Sequence, residues 1–198
     1  MSEDPGLSVT ALLAQSRDGD SSALEQLYPL VYDQLLEMAR SQRRRLGGAQ
    51  TLNTTALVHE AFVKLAGKER PRANDRAHFM AIAATAMRQI LIDYARRRAA
   101  LKRGGDARAV SFDEIEAALA SGPGFSDEKA GALAALDRAL TRLRLHSERQ
   151  SRLVECRFFA GMSIAETAEA LGTSPATVKR DWLLAQAWLY RELREGAA

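Results

Sequence analysis

The sequence predicts an all-α protein, and three observations support this prediction. Apolar residues recur at three- and four-residue spacing through the first half of the chain. Pro, Gly and runs of β-branched residues are sparse before residue 104. No segment shows the strict polar and apolar alternation that is typical of a strand. We therefore expect a helical bundle followed by a second helical region.

Four helices are predicted in the first half of the chain. The first two span about Val9 to Arg17 and Ser22 to Arg45, and the next two span Thr54 to Ala66 and Asp75 to Lys102. The third and fourth carry matching apolar stripes that should form the core: Leu57, Val58, Ala61, Phe62 and Leu65, then Phe79, Ile82, Ala83, Ala86, Ile90 and Tyr94.

The composition changes after residue 103, where Gly, Asp, Ser and Ala predominate around the sequence GPGFSDE. This composition is typical of a flexible linker, here with one short helix near Phe112 to Ala120. The sequence thus predicts two helical domains, at residues 1–103 and 132–198, joined by a linker at residues 104–131.

The second domain is expected to begin with two amphipathic helices, Ala132 to Leu145 and Glu148 to Ala160. A pair of short helices follows, and then a tail helix that runs to about Arg194. Trp182 and Trp188 are expected to pack the tail helix against the rest of the domain.

The pair of short helices between Gly161 and Trp182 carries the strongest functional signal. Ser163 and Glu166 form a capping-box pattern at the start of the first helix. Gly172 ends this helix, and the Ser174–Pro175 dipeptide is well suited to start the next one. This order of caps and turn residues is typical of a helix-turn-helix that reads DNA.

The second short helix is expected to pack Val178 against Ala168, whose small side chain allows close approach. The residues near its N-terminus would then face the major groove of DNA: Ser174, Ala176, Thr177, Lys179 and Arg180. A plain helical hairpin within an all-helical core is the alternative.

The formal net charge is only +3, but the basic residues are clustered. One run is Arg43 to Arg45, and a second, Arg96 to Arg98, continues with Lys102 and Arg103. Such runs also occur on solvated helix ends. We favour contact with nucleic-acid phosphates.

Several classes of protein are disfavoured. The single cysteine, Cys156, excludes an internal disulfide and is interpreted as a buried structural thiol. His59, His78 and His146 lack partners at metal-ligand spacing, so we expect no metal, no cofactor and no catalytic centre. Without a membrane-spanning apolar stretch or a signal peptide, a cytoplasmic protein that does not enter the membrane is expected.

The order of bundle, linker and helix-turn-helix resembles the extracytoplasmic-function (ECF) group of bacterial sigma factors. Residues Ala56 to Leu65, ALVHEAFVKL, are similar to the family's DLVQETFLRL helix in region two, and Arg142 to Trp182 is similar to region four. The resemblance extends from about residue 8 to 193. It implies an alternative sigma factor that directs core RNA polymerase to promoter DNA, with the first domain on the polymerase and the −10 element and the second on the −35 element.

The resemblance also implies which residues meet each partner. Contacts with the −10 element would come from the loop after the third helix and the exposed face of the fourth: Lys68, Arg70, Arg72, Asn74, Arg88, Arg96, Arg97 and Arg98. Contacts with the polymerase would come from the third helix: Asn53, Thr54, Thr55, Ala56, His59 and Glu60. Relatives usually continue the recognition helix as VKSRLHRAR, whereas this chain reads VKRDWLLAQAW, so weaker stand-alone DNA binding is expected.

An acidic cluster of the family, resembling DAED, is absent. Its positions hold Asn53, Thr54, Thr55 and Ala56, of which Asn53 or Thr54 suits a helix N-cap. Our sharper hypothesis is that a threonine here is phosphorylated, because phosphate adds negative charge at a helix N-terminus. Thr55 matches a family carboxylate most directly, and Thr54 and Thr51 are alternatives. A Ser/Thr protein kinase is then an implied partner, beside or in place of an anti-sigma factor.

Two other functions compete with this interpretation. A conventional dimeric helix-turn-helix repressor or activator would bind its operator tightly without polymerase. The basic fourth helix and the long linker favour the sigma factor over it. An enzyme is the second rival, but no catalytic constellation supports it.

Overall fold

The computed structural model describes residues 8–18, 20, 22–46, 53–66, 73–100, 112–120 and 125–195, and every regular element within these ranges is helical. The helices are α1 (Val9–Arg17), α2 (Ser22–Arg45), α3 (Thr54–Ala66), α4 (Arg76–Ala100), α5 (Phe112–Ala120), α6 (Asp127–His146), α7 (Glu148–Val154), α8 (Ile164–Ala170) and α9 (Pro175–Glu195). A π-helical segment, Glu155–Phe159, continues α7. The all-α prediction is confirmed.

The helix ends follow local capping chemistry. The first three helices and the short α5 have the predicted bounds. Helix α4 starts one residue later than predicted, because Asp75 caps it and accepts a hydrogen bond from the His78 amide at 2.8 Å. Helix α6 starts at Asp127 rather than Ala132, because the Ser126 hydroxyl accepts from the Lys129 amide at 3.2 Å.

Two predicted elements differ from those observed. The recognition helix and the tail form one continuous helix, α9, since no Gly or Pro interrupts residues 176–195. The helix predicted over Glu148 to Ala160 changes to π geometry at Glu155. In the predicted linker, residues 104–111 and 121–124 lie outside the described residues, and the division into domains stays a prediction.

Helix α4 is the centre of the molecule. It packs against α2, α3, α6, the π-helical segment and α8, and Phe79, Ala83, Met87 and Leu91 are completely buried. One cluster of buried apolar side chains extends from Leu12 to Leu193, so the N-terminal half (α1–α4) and the C-terminal half (α6–α9 with the π-helical segment) share a core. No helix in the described ranges has the length and apolar character needed to cross a membrane.

Candidate nucleic-acid interface

Helices α8 and α9 form the predicted helix-turn-helix. The Ser163 hydroxyl accepts from the Glu166 amide at 3.2 Å, and a Glu166 carboxylate oxygen accepts from the Ser163 amide at 2.7 Å. The predicted capping box is therefore confirmed. The hydrogen bond from the Ser163 backbone lowers the pKa of the Glu166 carboxyl below its usual range.

The turn and the second helix follow the sequence pattern closely. Gly172 has φ of +60°, in the left-handed region that favours glycine. The Ser174 hydroxyl caps α9 by accepting from the Thr177 amide at 3.1 Å. Val178 and Ala168 are buried in one small cluster with Leu153, which confirms the predicted contact between the two helices.

The N-terminal turns of α9 present a polar and basic outer face. Ser174, Ala176, Lys179 and Arg180 are exposed, and Thr177 is half-buried. Further along α9 the exposed positions become apolar, at Leu183, Leu184 and Tyr190. The next exposed basic residues on α9 after Lys179 and Arg180 are Arg191 and Arg194, near its C-terminal end.

Asp181 does not belong to this outer face. It is 2% exposed, and its carboxylate accepts from Arg149 Nε of α7 at 2.7 Å. The acidic residue that interrupts the family's basic pattern therefore joins two helices of the domain instead of facing DNA. Trp182 packs against both apolar clusters, and Trp188 is partly buried and stacks on His146.

The residues predicted for the −10 element are dispersed. Asn74 is exposed before the N-terminus of α4, whereas Arg96 and Arg97 are exposed near its C-terminal end. At about 1.5 Å per residue, these sites are roughly 30 Å apart along the helix. Lys68, Arg70 and Arg72 lie outside the described residues, as does the side chain of Arg98.

The prediction that Arg88 lies on the exposed face of α4 is wrong. Its side chain is 9% exposed, and its guanidinium binds two carboxylates of the C-terminal half. Nη1 donates to Glu155 at 2.6 Å, and Nε and Nη2 donate to Asp137 Oδ1 at 3.1 and 2.8 Å. Arg88 cannot reach DNA in this arrangement because its donors are occupied inside the protein.

The two carboxylates that bind Arg88 were not predicted from the sequence. Asp137 lies among the buried Leu133, Leu136 and Leu140 of α6, and Glu155 lies between the buried Val154 and Cys156. A charged residue within an apolar pattern is seldom buried unless it is paired. An acidic residue within an otherwise apolar stretch was therefore the signal in the sequence that indicated an internal ion network.

The residues predicted to contact polymerase form one exposed face of α3. Thr55, Ala56, His59 and Glu60 are exposed, and Thr54 is half-buried. The side-chain oxygen of Asn53 accepts a hydrogen bond from the Thr55 amide at 3.0 Å. This contact confirms the prediction that Asn53 caps the helix. The first turn of α3 holds no acidic residue, and Thr51 lies outside the described residues.

The remaining candidate groups have local structural roles. Cys156 is completely buried, and its burial together with the neighbouring Glu155 raises the pKa of its thiol to about 12. His78 accepts from the Asn74 amide through Nδ1 at 3.4 Å. Across the described part of the chain, no group of three His, Cys, Asp or Glu residues is arranged to hold a metal ion.

Comparison with known proteins agrees with this geometry. The family model described as ECF sigma factor matches residues 7–195. No curated protein and no solved structure matches the chain. The family match covers both halves, and it does not favour a conventional repressor.

Proposed function

The chain belongs to the ECF sigma factor family, which directs core RNA polymerase to promoters, and from that premise we propose that α9 reads the −35 element. The observation that carries this proposal is the outer face at the start of α9. Lys179 and Arg180 are exposed there, and the buried contact between Val178 and Ala168 fixes the helix against α8. The N-terminal residues of a recognition helix are those that contact base edges in helix-turn-helix proteins.

The −10 element is assigned to the two ends of α4. Asn74 would act with Lys68, Arg70 and Arg72, which precede it in the sequence, while Arg96, Arg97 and Arg98 would contact phosphates near the other end. This assignment rests on the charge of these residues and on the exposure of Asn74, Arg96 and Arg97.

Run-off transcription with core RNA polymerase tests promoter recognition. Removing the cations of Lys179 and Arg180 by substitution with alanine should strongly reduce promoter-specific transcripts, because phosphate and base contacts are lost together. Arg191→Ala is the matched control, since Arg191 is an exposed arginine further along the same helix. Equal transcription by the double variant and the control would refute the assignment.

The exposed face of α3 is proposed as the polymerase-docking face, and its first turn as a phosphorylation site. Thr55 is the favoured acceptor because it is exposed, whereas Thr54 is half-buried. A phosphate at this position would be stabilised by the positive dipole of the helix N-terminus. It would supply the negative charge that the first turn lacks. A Ser/Thr protein kinase is the proposed partner, and an anti-sigma factor is the alternative.

A matched pair of variants tests the phosphorylation site. Thr10 is the matched control for Thr55. Each threonine is exposed at the second position of its helix, Thr10 in α1 after the cap residue Ser8 and Thr55 in α3 after the cap residue Asn53. Thr55→Glu should bind core polymerase more tightly than the unmodified chain, whereas Thr10→Glu should not. The proposal fails if Thr55→Glu, Thr54→Glu and a kinase-treated chain all bind core polymerase no better than the unmodified chain.

A further inference from the structure

The two halves are joined by a compact ion network centred on α4. Thr85, Arg88 and Arg96 lie along one side of this helix and bind two carboxylates, Asp137 of α6 and Glu155 of the π-helical segment. Arg88 binds both carboxylates, the Thr85 hydroxyl donates to Glu155 Oε2 at 2.6 Å, and Arg96 Nη2 donates to Asp137 Oδ2 at 3.1 Å. Every carboxylate oxygen of this pair therefore has a donor from α4.

The network is almost completely shielded from water at its centre. The side chains of Arg88 and Glu155 are 9% and 6% exposed. Arg88 Nη2 also donates to the Asp137 carbonyl at 2.9 Å and to the Thr141 hydroxyl at 3.3 Å. Two clefts, of about 430 and 720 Å³, lie beside the contact between α4 and α8. Specific polar contacts therefore hold α4 against the C-terminal half, and open clefts lie close to them.

We infer that this network is an autoinhibitory latch, which holds the free chain in a closed state with α4 covered by the C-terminal half. A buried ion pair is suited to such a role because its two partners regain hydration when they separate. The pair therefore opposes separation less than an apolar contact of similar size. Removing one carboxylate while the halves stay together is costly, because the buried guanidinium of Arg88 then keeps only the other carboxylate as a charged partner.

The closed state withholds part of the basic surface of α4. Arg88 is covered, and Arg96, whose side chain is 66% exposed, is paired with Asp137. Opening would release both arginines on the side of α4 that now contacts α6. This consequence for −10 recognition rests on the proposed function, whereas the closure itself can be measured without polymerase or DNA.

The test neutralises one carboxylate of the latch. Glu155→Gln removes the charge that faces Arg88. Glu192→Gln is the matched control, because the Arg142–Glu192 pair is also 2.6 Å long but lies within the C-terminal half.

Spin labels are placed at the exposed Gln26 of α2 and Ala187 of α9, in the full chain with Cys156→Ala. The distance distribution between the labels reports whether the halves are together.

Glu155→Gln should add a population at longer distance and raise the ratio of open to closed chains on the order of tenfold. The control should keep the distribution of the parent chain. Asp137→Asn provides a second, milder variant, since the Asp137 side chain is 16% exposed. An unchanged distribution in both folded latch variants would overturn the inference. Loss of helical structure in both would also overturn it, because the inference requires each half to stay folded when the latch is removed.

Transcription separates the latch from the proposed function. At limiting concentrations of the chain, Glu155→Gln should give more transcript from core polymerase than Glu192→Gln. If the labels show opening but no variant supports transcription, the latch stands and the proposed function fails. If transcription depends on Lys179 and Arg180 but the labels show no opening, the proposed function stands and the latch fails.

Discussion

Gln42 of α2 donates its side-chain amide to the carbonyl oxygen of Phe158 at 2.8 Å, and the same nitrogen is 2.9 Å from the Phe159 carbonyl. Both carbonyls belong to the π-helical segment, where the wider turn changes the backbone pairing of an α-helix. Gln42 is itself 1% exposed, so no water competes for its amide. One side chain from the N-terminal half thus provides hydrogen bonds that stabilise an irregular turn in the C-terminal half.

Gln42→Leu should therefore destabilise the protein, although leucine is of similar size and apolar. The substitution removes a donor from two buried carbonyls, and the free energy of unfolding should fall by roughly 1–3 kcal/mol. Urea denaturation followed by circular dichroism measures this change. Gln89→Leu is the control, because Gln89 is exposed on α4 and its substitution should change stability by only about 0.5 kcal/mol. Similar stabilities for the two variants would contradict the role of Gln42.

The features predicted correctly are those determined by nearby residues. The capping box of Ser163 and Glu166 and the turn at Gly172 depend on chemistry within four residues, and the sequence displays all of it. The contact between Ala168 and Val178 follows from the same local geometry. The exposure of Ser174, Lys179 and Arg180 at the start of α9 was accessible from the sequence for this reason.

The features that were missed depend on residues far apart in the chain. Arg88 meets Glu155, which is 67 residues away, and Gln42 meets Phe158, which is 116 residues away. A basic residue on a long helix has the same local signature whether it faces solvent or a buried carboxylate. The change to π geometry at Glu155 was equally hidden, because its supporting donor comes from α2.

Gly172 should be required for its backbone conformation and not for lack of space. Its φ is +60°, and no heavy atom lies within 4 Å of the position that a Cβ would occupy. Gly172→Ala should cost roughly 1–2 kcal/mol from left-handed strain alone. Gly172→Asn should cost less, since asparagine tolerates this region better. Urea denaturation of both variants checks this order, and equal or reversed costs would show that another factor dominates.

The spacing of α8 and α9 should depend on a small side chain at Ala168. This residue is 3% exposed between Leu153 and Val178. Ala168→Leu would overfill the cluster and lower the free energy of unfolding by roughly 1–3 kcal/mol. It should also weaken promoter binding by shifting α9. Ala165→Leu, at an exposed position of the same helix, is the matched control. A DNA affinity of Ala168→Leu equal to that of the control would argue against a fixed helix spacing.

Cys156 should make the protein sensitive to alkaline pH. Burial raises the pKa of its thiol from 9.0 to about 12, so the thiol of the unfolded chain ionises first as the pH increases. Since the unfolded state then binds fewer protons than the native state, stability should fall by about 1.4 kcal/mol per pH unit through this range. Below pH 8 this contribution is negligible, because the thiol is protonated in both states.

Cys156→Ala isolates the contribution of the thiol to this pH dependence. Tyrosine and lysine side chains also titrate in this range, but their effects cancel when the variant is compared with the unmodified chain. The free energy of unfolding is measured by urea denaturation at several pH values above 8, under reducing conditions. The stability of Cys156→Ala should decline less steeply with pH than that of the unmodified chain. Parallel profiles would mean that Cys156 ionises equally readily in the two states, and that its burial does not suppress the thiolate.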